Sequence, residues 1–398
     1  MKRNEENTLE KIMILGAGIY QVPLIKKAKE LGYETIVSSI PGHYPGFDCA
    51  DKVYYVNTTD KEQILEICKK ENVSGICTAS TDVAITSIGY VCDYMHLHGI
   101  SYDTAEKATN KYKMKMAFQK YGVNSAKFKK IENEEELLNE YVSLGKNVIL
   151  KVVDKSGSRG ISKVSNKDEL LSAYKNVIQV TGVEYILMEE TLSGKEIGID
   201  GFIRNGQLEY VFPHDKLVIS NGRTDVPAGH VSPLVVSENV MDNLYKQVNL
   251  VIKALGLNDC AFNIDAFIIG NDIYIIEAGA RIGATGIPQL IKNSSGNDVY
   301  EQIVKTAMNQ PCVFYNRFEK ACMSYVLYSH VGGLLQKVLY QDVEGVEFSM
   351  DYSIGDSIPK FCNGSDRIGQ LIIQGNTLTD LDNKKDMFLK NLEIKIGE

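Results

Sequence analysis

The sequence predicts an α/β fold, with a doubly wound parallel sheet in its N-terminal part and β-rich units after it. Three observations lead to this prediction. Short apolar runs alternate with helical patterns over roughly the first 105 residues, an order typical of a parallel sheet. Two later segments read as hairpins, with turns at Asn205-Gly206 and at Gly270-Asn271-Asp272. Residues 311–398 are again rich in β-forming runs with glycine-containing turns, and we expect them to form a closing unit.

The N-terminal elements follow one another at short spacing. Residues 12–15, the run ETIVSS and the runs DKVYYVN and SGICTAS predict strands, and PLIKKAKELG and DKEQILEICKKENV predict helices between them. The loop GAGIYQ after the first strand has Gln21 where a dinucleotide fingerprint has its third glycine, and no acidic residue ends the second strand. A nicotinamide-dependent oxidoreductase is therefore disfavoured, and a tight strand-to-helix turn is the preferred interpretation.

The central part of the chain predicts a helix over residues 106–121, ending at Gly122. Residues 126–190 predict a small α+β unit with the strands NVILKVV and EYILMEE and the helix KDELLSAYKNVI. The hairpin EIGIDGFIRNGQLEYVFP, a helix around 238–256 and the hairpin FNIDAFIIGNDIYIIEA follow.

Composition and charge restrict the class of protein. The 398 residues carry a net charge of −8, which disfavours a nucleic-acid partner. The eight cysteines form no CxxC pair and no Cys/His cluster, so they read as reduced core residues of a cytoplasmic protein. The charged N-terminus lacks the apolar segment of a signal peptide, and no apolar run approaches the ~20 residues that span a bilayer. We therefore expect a cytoplasmic protein without a membrane partner.

Two carboxylates lie on the strands of the second hairpin. Asp265 and Glu277 are each six positions from Asn271, so they should pair across the hairpin. Like charges directly opposite repel unless a cation lies between them, and oxygen ligands of this kind suit magnesium. Arg281 follows Glu277 within a glycine-rich turn. Either Arg281 alone partners Glu277, which is a structural role, or a metal ion and a bound phosphate do, which is a functional one.

Two lysines and a loop of small residues are candidates for a phosphate site. Lys111 opens a helix, and Lys151 lies inside the apolar run VILKVV, either on a solvent face or buried against an anion. The loop after Lys151 presents backbone N–H groups of small residues, which lets a phosphate approach closely. Its residues are Ser156, Gly157, Ser158 and Gly160. Surface lysines and glycine-containing hairpins are common alternatives to this interpretation.

Acidic residues surround the exit of the strand YILMEE. Glu189, Glu190 and Glu196 could supply acceptors for an adenine amino group and for ribose hydroxyls, with the Leu192 backbone beside them. The structural alternative is a solvated acidic hinge.

These four segments, in this order, resemble the ATP-grasp superfamily. The likeness covers roughly residues 12–300; LMEETLSGKE is the most specific match, followed by Asp265 and Glu277 with Arg281. Within the superfamily the sequence is most similar to carboxylate–amine ligases of the amino-acid ligase type, relatives of biotin carboxylase and the carbamoyl-phosphate synthetase large chain. The resemblance implies a Rossmann-like domain at 1–108, an ATP-grasp domain at 109–310 with a mobile lid at about 126–190, and a closing domain at 311–398.

The resemblance also implies residue roles. Lys111 and Lys151 would hold the phosphates of ATP under the loop 156–160. Glu189 and Leu192 would flank the adenine, and Glu196 the ribose. Asp265 and Glu277 would bind Mg²⁺, with Mn²⁺ as a substitute, and Arg281 would stabilise the transferring phosphoryl group. Many members have Glu-x-Asn where this chain has Glu277-Ala278-Gly279, which puts the metal geometry in doubt.

The implied activity is ADP-forming ligation of a small-molecule carboxylate to an amine through an acyl-phosphate, and a homodimer is a common arrangement for such ligases. The alternative enzyme is a bicarbonate-using carboxylase or a carbamoyl-phosphate-synthase-like enzyme. A nucleotide-binding protein that does not turn over is the non-enzymatic alternative.

The substrate contacts are less clear. The segment 213–233 is expected to be a long polar loop beside the site, and His214, Lys216, Arg223 and His230 lie within it. Gly283 and Thr285, in the turn after Arg281, are candidates for the carboxylate end of the substrate. Asp82, at the end of a strand of the first sheet, would either orient an amine or cap the following helix.

Overall fold

The computed structural model describes residues 9–145, 147–155, 160–220, 225–362 and 366–397. Its first sheet consists of four parallel strands in the order β3-β2-β1-β4. These are β1 (Lys11–Leu15), β2 (Glu34–Ser39), β3 (Lys52–Tyr55) and β4 (Gly75–Cys77). The helices of this part are α1 (Val22–Glu30), α2 (Lys61–Glu71) and α3 (Ile85–Met95). The predicted parallel α/β unit is confirmed.

The predicted helix over 106–121 is wrong in its bounds, because two helices meet at Asn110. They are α4 (Tyr102–Thr109) and α5 (Lys111–Tyr121). Asn110 has an extended backbone, and its side-chain oxygen accepts a hydrogen bond from the N–H of Lys113 at 3.0 Å, which is the contact of a helix N-cap. Lys111 is therefore the first residue of a new helix. The predicted end at Gly122, with φ 71°, is confirmed.

The second sheet is antiparallel, with the strand order β5-β8-β6-β7. Its elements are β5 (Phe128–Ile131), α6 (Glu134–Leu144), β6 (Val148–Lys151), β7 (Ile161–Val164), α7 (Lys167–Ile178) and β8 (Ile186–Glu190). A small separate core, which includes Leu150, Leu170 and Met188, lies between the helices and the sheet. The predicted α+β unit is present, and its role as a mobile lid stays a prediction.

The third sheet has eight strands in the order β13-β12-β9-β10-β11-β14-β18-β16. The first five along the chain are β9 (Lys195–Arg204), β10 (Gln207–Ser220), β11 (Asp225–Ser232), β12 (Cys260–Ile269) and β13 (Asp272–Gly279). Both predicted hairpins are confirmed. Asn205 (φ 49°) and Gly206 (φ 73°) are both left-handed, as the tight turn between β9 and β10 requires.

The segment 213–233, expected to be a long loop, is mostly strand in the described residues. β10 runs on to Ser220, and β11 returns from Asp225, so that Lys216 pairs with His230. His214 is fully buried and His230 is 7% exposed. The expectation failed because polar residues on a buried strand have the composition of a loop.

The remaining elements complete the fold. They are α8 (Glu238–Leu255), α9 (Ile287–Ser295), α10 (Val299–Ala307), β14 (Ala321–Tyr328), β15 (Gly333–Leu339), β16 (Val346–Met350), β17 (Ser357–Ile358), β18 (Arg367–Gly375), α11 (Leu378–Lys390) and β19 (Glu393–Gly397). β17, β15 and β19 form a small third antiparallel unit, whereas β14, β18 and β16 extend the eight-stranded sheet.

One large core joins the first sheet to the eight-stranded sheet, since Ile76 of β4 and Ile264 of β12 belong to the same cluster of buried side chains. The predicted domain boundaries at 108 and 310 stay predictions. Within the described parts of the chain, no helix has both the length and the apolar character needed to cross a membrane.

We expect Asn110→Ala to lower the free energy of unfolding by about 1 kcal/mol, because the Lys113 N–H loses its side-chain acceptor. Asn110→Ser keeps an acceptor at this position and should lose much less. Urea titrations followed by circular dichroism compare the two variants with the wild type. Equal losses in both variants would contradict the capping role.

Candidate active site

The carboxylates of the second hairpin lie directly opposite each other, as predicted. Asp265 on β12 pairs with Glu277 on β13, and the register shifts immediately after Asp265. At the turn, Ile269 pairs with Asp272, so an unbroken ladder would place Ile276 opposite Asp265. The β-bulge moves Glu277 into that position. The pairing therefore depends on an irregularity of the strand as well as on the turn.

Lysines neutralise these carboxylates, and Arg281 pairs elsewhere. Lys111 Nζ lies 3.4 Å from Glu277 Oε2, and Lys216 Nζ lies 3.1 Å from Asp265 Oδ1. Lys111 lowers the pKa of Glu277 to about 2, against the effect of burial. Burial raises the pKa of Asp265, although Lys216 opposes the change. The interpretation in which Arg281 alone partners Glu277 is wrong.

Asp265 and Glu277 present hard oxygen atoms side by side, which fits Mg²⁺. Over the described ranges of the chain, no group of three His, Cys, Asp or Glu side chains is placed to hold a metal ion. An ion between these two carboxylates would therefore complete its coordination with phosphate oxygens and water, as magnesium commonly does.

A cavity of about 200 Å³, which we call the inner cavity, lies between the second sheet and the eight-stranded sheet. Apolar side chains such as Ile149, Leu192 and Phe267 form part of its wall. Its charged wall residues are Lys111, Lys115, Lys151, Lys163, Glu189, Glu190, Glu196, Lys216, Asp265 and Glu277. Of the residues that the sequence predicted for phosphate, adenine, ribose and metal, this wall brings together Lys111, Lys151, Glu189, Glu190, Leu192, Glu196, Asp265 and Glu277.

Two buried lysines share one buried glutamate in this wall. Lys151 Nζ lies 2.7 Å from Glu189 Oε2, and Lys115 Nζ lies 3.4 Å from Glu189 Oε1. Burial opposes the charge on Lys151, but Glu189 raises its pKa overall. Burial lowers the pKa of Lys115, with Glu189 acting against it. Lys115 lies four residues after Lys111 and therefore on the same face of α5, but it was not among the predicted site residues.

Lys216 contacts two residues that were predicted to bind the nucleotide and the metal. Its Nζ lies 2.6 Å from Glu196 Oε1 as well as close to Asp265. Burial opposes this charge, but the two carboxylates raise the pKa of Lys216 overall. Lys216 was predicted to touch substrate from a loop, and the structure places it in the wall of the inner cavity instead.

The loop after β6 is described only at its ends. Lys111 Nζ donates a hydrogen bond to Lys155 O at 2.6 Å, and Gly160 O accepts one from the Val152 N–H at 2.9 Å. The predicted phosphate contacts Ser156, Gly157 and Ser158 lie outside the described residues.

A second cavity of about 440 Å³, which we call the outer cavity, lies between the loops after β3 and β4 and the start of α5. Its polar wall residues include Thr59, Asp82, Glu106, Lys113, Asp154, Lys155, Asn263 and Arg281. Lys111 and Glu277 belong to the walls of both cavities. The two cavities therefore meet at this ion pair.

Arg281 is held by Asp82, which lies in the loop after β4. Arg281 Nε and Nη2 each donate to the Asp82 carboxylate at 2.8 Å, and Nη1 donates to Asn263 Oδ1 at 3.0 Å. A Cβ atom on Gly279 would lie 3.0 Å from Asp82 Oδ1. The Asp82–Arg281 pair thus fills the space next to Gly279, which gives a physical reason for glycine at this position.

The two histidines of the β10–β11 hairpin belong to neither cavity wall. His214 Nε2 lies 3.0 Å from Asp200 Oδ2, and His230 packs edge-on against His214 with ring centroids 4.6 Å apart. His230 Nδ1 has no hydrogen-bond partner among the described residues. The histidines are therefore buried behind the site, and the expectation that they line a substrate loop is wrong. Arg223, predicted with them, lies outside the described residues.

The turn after Arg281 is anchored at its main chain. The Gly283 N–H donates to Asp200 Oδ1 at 2.6 Å, and Ser80 Oγ donates to Gly283 O at 3.0 Å. Thr285 has a left-handed backbone with φ 58°, a strained conformation for a β-branched residue. Asp200 was not identified from the sequence, although a lone carboxylate within the apolar run IGIDGF was a usable signal.

The parallel sheet, the four-stranded and eight-stranded antiparallel sheets, and the charged cavity between the latter two define the class of ATP-dependent enzymes with an ATP-grasp architecture. A family model described as the ATP-grasp domain matches residues 144–289. A solved structure named phosphoribosylglycinamide synthetase, from Anaerococcus prevotii, is 32% identical, with a TM-score of 0.84 over 98% of this chain and 100% of that one. The chain belongs to the ATP-grasp family.

Two further similarities are more distant. An L-amino acid ligase from Bacillus licheniformis shares the fold with a TM-score of 0.82 at 18% identity, with full coverage of both chains. Alanine–anticapsin ligase from Bacillus subtilis is 23% identical over 65% of this chain, and the matched part spans 60% of that ligase. The predicted family, fold and ATP-grasp ligase class are confirmed, as are ATP and Mg²⁺ as cofactors typical of the family. The role of each residue stays a prediction.

We expect Gly279→Ala to lower the free energy of unfolding by about 1–2 kcal/mol, because its Cβ forces the Asp82–Arg281 pair to move. The same substitution in an Asp82→Ala background should cost clearly less, since the obstructing carboxylate is absent. Denaturant titration of the four proteins gives the coupling between the two positions. Additive losses would show that Gly279 is not constrained by Asp82.

The buried His230 predicts a loss of stability in acid. Burial lowers its pKa well below the usual value, and His214 and Lys216 add to this effect. Below about pH 6.5 the unfolded chain binds a proton that the folded chain does not. The free energy of unfolding therefore decreases as the pH is lowered, by up to about 1.4 kcal/mol per pH unit. Above about pH 6.5 His230 is neutral in both states and causes no loss of stability. Unfolding midpoints at about pH 7 and about pH 5 measure the change.

We expect His230→Gln to reduce this pH dependence, because glutamine does not titrate. The exposed His43 provides the control, and His43→Gln should keep the pH dependence of the wild type. A His230→Gln protein with an unchanged dependence would exclude His230 as its source.

Proposed function

We propose that this protein is an ADP-forming ligase that joins a small carboxylic acid to an amine through an acyl-phosphate intermediate. The observation that supports this best is that the inner and outer cavities meet at Lys111 and Glu277. A nucleotide in the inner cavity and an acid in the outer cavity would have their reacting groups at this meeting point. The amine would enter through the outer cavity.

The inner cavity has the chemistry of a nucleotide site. Lys111, Lys151 and Lys115 supply positive charge for phosphates, and the apolar wall around Leu192 and Phe267 suits a base. Glu196 is the candidate for the ribose hydroxyls. Each of these cations already lies beside a carboxylate, so bound phosphates would replace or share partners that the protein provides.

Asp265 and Glu277 are the residues that would hold magnesium. When bound, the ion offsets the negative charge of the phosphates and supports their alignment for transfer. Lys216 touches Asp265 and would keep that carboxylate oriented.

The reaction needs little covalent chemistry from the protein. A substrate carboxylate oxygen attacks the γ-phosphorus, and ADP leaves. The amine nitrogen then attacks the acyl carbon, phosphate leaves, and the amine loses a proton. Arg281 faces the outer cavity and would stabilise charge on the phosphoryl group, which is the main contribution that a protein makes to such transfers.

The acid is best sought first among amino acids. The ligases named above act on this class by their names, and the outer cavity has a polar wall with both signs of charge. Bicarbonate is the competing acid, because it would fit the same carboxylate position and is the substrate of the alternative carboxylase-type activity.

We expect ADP release from Mg-ATP to require one pool among amino acids, other small carboxylic acids, amines and bicarbonate. Glu277→Ala should abolish this release, because it removes a carboxylate that would bind the metal and that pairs with Lys111. A coupled ADP assay on the wild type and the variant provides the measurement.

Release that only bicarbonate stimulates would replace the ligase proposal with the carboxylase-type activity. ATP binding without release in any pool would contradict an amide-forming ligase for the substrates tested. Lys69 is exposed on helix α2, beside the first sheet, and Lys69→Ala is a control that should behave like the wild type.

A further inference from the structure

Asp200 lies at the centre of a fully buried polar network. It is in the middle of β9, pairs in register with Asn263 of β12, and has no exposed surface. Across the described residues, no lysine or arginine lies within 4.0 Å of its carboxylate, and the nearest ring nitrogen is His214 Nε2 at 3.0 Å. An interior carboxylate without a lysine or arginine partner costs considerable free energy, so its hydrogen bonds should identify its role.

Three donors converge on the Asp200 carboxylate. Oδ1 accepts from the Gly283 N–H at 2.6 Å, and Oδ2 faces Asn263 Nδ2 and His214 Nε2, each at 3.0 Å. Two of these three donors lead directly to Arg281: Gly283 is two residues after it, and Asn263 accepts from its guanidinium.

The orientation of Asn263 follows from this contact. A carboxylate only accepts hydrogen bonds, so the amide nitrogen of Asn263 must face Asp200. The amide oxygen then faces the other way and accepts from Arg281 Nη1 at 3.0 Å. The Asp200 carboxylate thus determines that Asn263 presents its amide oxygen to Arg281.

The surrounding chain leaves room for this network. A Cβ atom on Gly283 would lie 2.9 Å from Asp200 Oδ1, and one on Gly198 would lie 2.1 Å from His214 Cε1. A side chain at position 283 would crowd the Asp200 carboxylate, and one at position 198 would overlap the His214 imidazole.

We propose that Asp200 is a positioning residue for Arg281. Its carboxylate fixes the Asn263 amide and the Gly283 main chain, and through them it holds the guanidinium against Asp82 in the outer cavity. The kinetic consequence rests on the proposed function, whereas the structural consequence does not.

Asp200→Asn is the direct test. An asparagine at 200 places an N–H₂ group among the three donors, so the Asn263 amide should turn its oxygen towards residue 200 and withdraw it from Arg281. The kcat of acid-dependent ADP release should fall about 10- to 100-fold, as expected when a reacting group is misplaced by about 1 Å. The dissociation constant of Mg-ADP should change less than about twofold, since Asp200 is not part of the inner cavity wall.

The double variant Asp200→Asn with Asn263→Asp moves the negative charge from β9 to the neighbouring strand β12. A carboxylate at 263 accepts both from Arg281 and from the new amide at 200, so most of the lost kcat should return. A role that is only structural gives no reason for this rescue.

Glu71→Gln is the matched control. Glu71 is also a buried carboxylate, 5% exposed, with Lys11, Lys52 and Tyr54 as partners, but it lies in the first sheet region away from both cavity walls. It should lose stability without a selective loss of kcat.

A second readout does not depend on activity. The Arg281 Nε–H resonance, assigned by its loss in Arg281→Lys, should exchange with solvent at least about tenfold faster in Asp200→Asn than in the wild type or Glu71→Gln, because opening of the contact controls exchange. If the wild type shows no acid-dependent ADP release, the proposed function fails and this exchange rate alone decides the role of Asp200. Unchanged exchange in Asp200→Asn, an equal kcat loss in Glu71→Gln, or a double variant no better than the single one would overturn the proposal.

Discussion

The site depends on the pairing of opposite charges around the cavities, and the Lys111–Glu277 contact is the central pair because it borders both cavities. Charges removed from water are tolerated only with partners. Lys151 and Lys115 accordingly pair with Glu189. Lys216 pairs with both Asp265 and Glu196, and Arg281 pairs with Asp82. Such pairs contribute little net stability compared with apolar packing. Their concentration around two adjoining cavities is therefore better explained by ligand chemistry than by a need to stabilise the fold.

The same pairing explains how a site for a highly charged nucleotide can exist before the nucleotide binds. Each lysine proposed to bind phosphate has a carboxylate within 3.4 Å, so these side chains are held near the positions in which the proposed function needs them. An incoming anion would then exchange partners with Glu189 and Glu277 rather than order free lysines. Pre-ordered side chains lose less conformational freedom on binding.

Much of the fold and part of the site could be predicted from the sequence. The strand–helix alternation and the turn at Asn205-Gly206 have strong local signals, and the predicted hairpin brought Asp265 and Glu277 together. The β10–β11 hairpin was missed because buried polar side chains such as His214 and His230 resemble a loop in composition. Asn263 and Asp82 contact Arg281 from two separate segments, and Asp200 reaches it through Asn263, so the arrangement arises only in the folded chain. No local pattern contains that information.

Gly279 shows how the first sheet and the eight-stranded sheet depend on each other. A glycine supplies no metal ligand, so from the sequence alone this position puts the metal geometry in doubt. In the folded protein, its missing side chain admits Asp82 from the loop after β4, and Asp82 takes two of the guanidinium hydrogen bonds of Arg281. The second anchor of Arg281 comes from the opposite side, through Asn263 and Asp200. Arg281 is therefore placed by two sheets at once, so its position reports how the N-terminal sheet and the eight-stranded sheet are packed together.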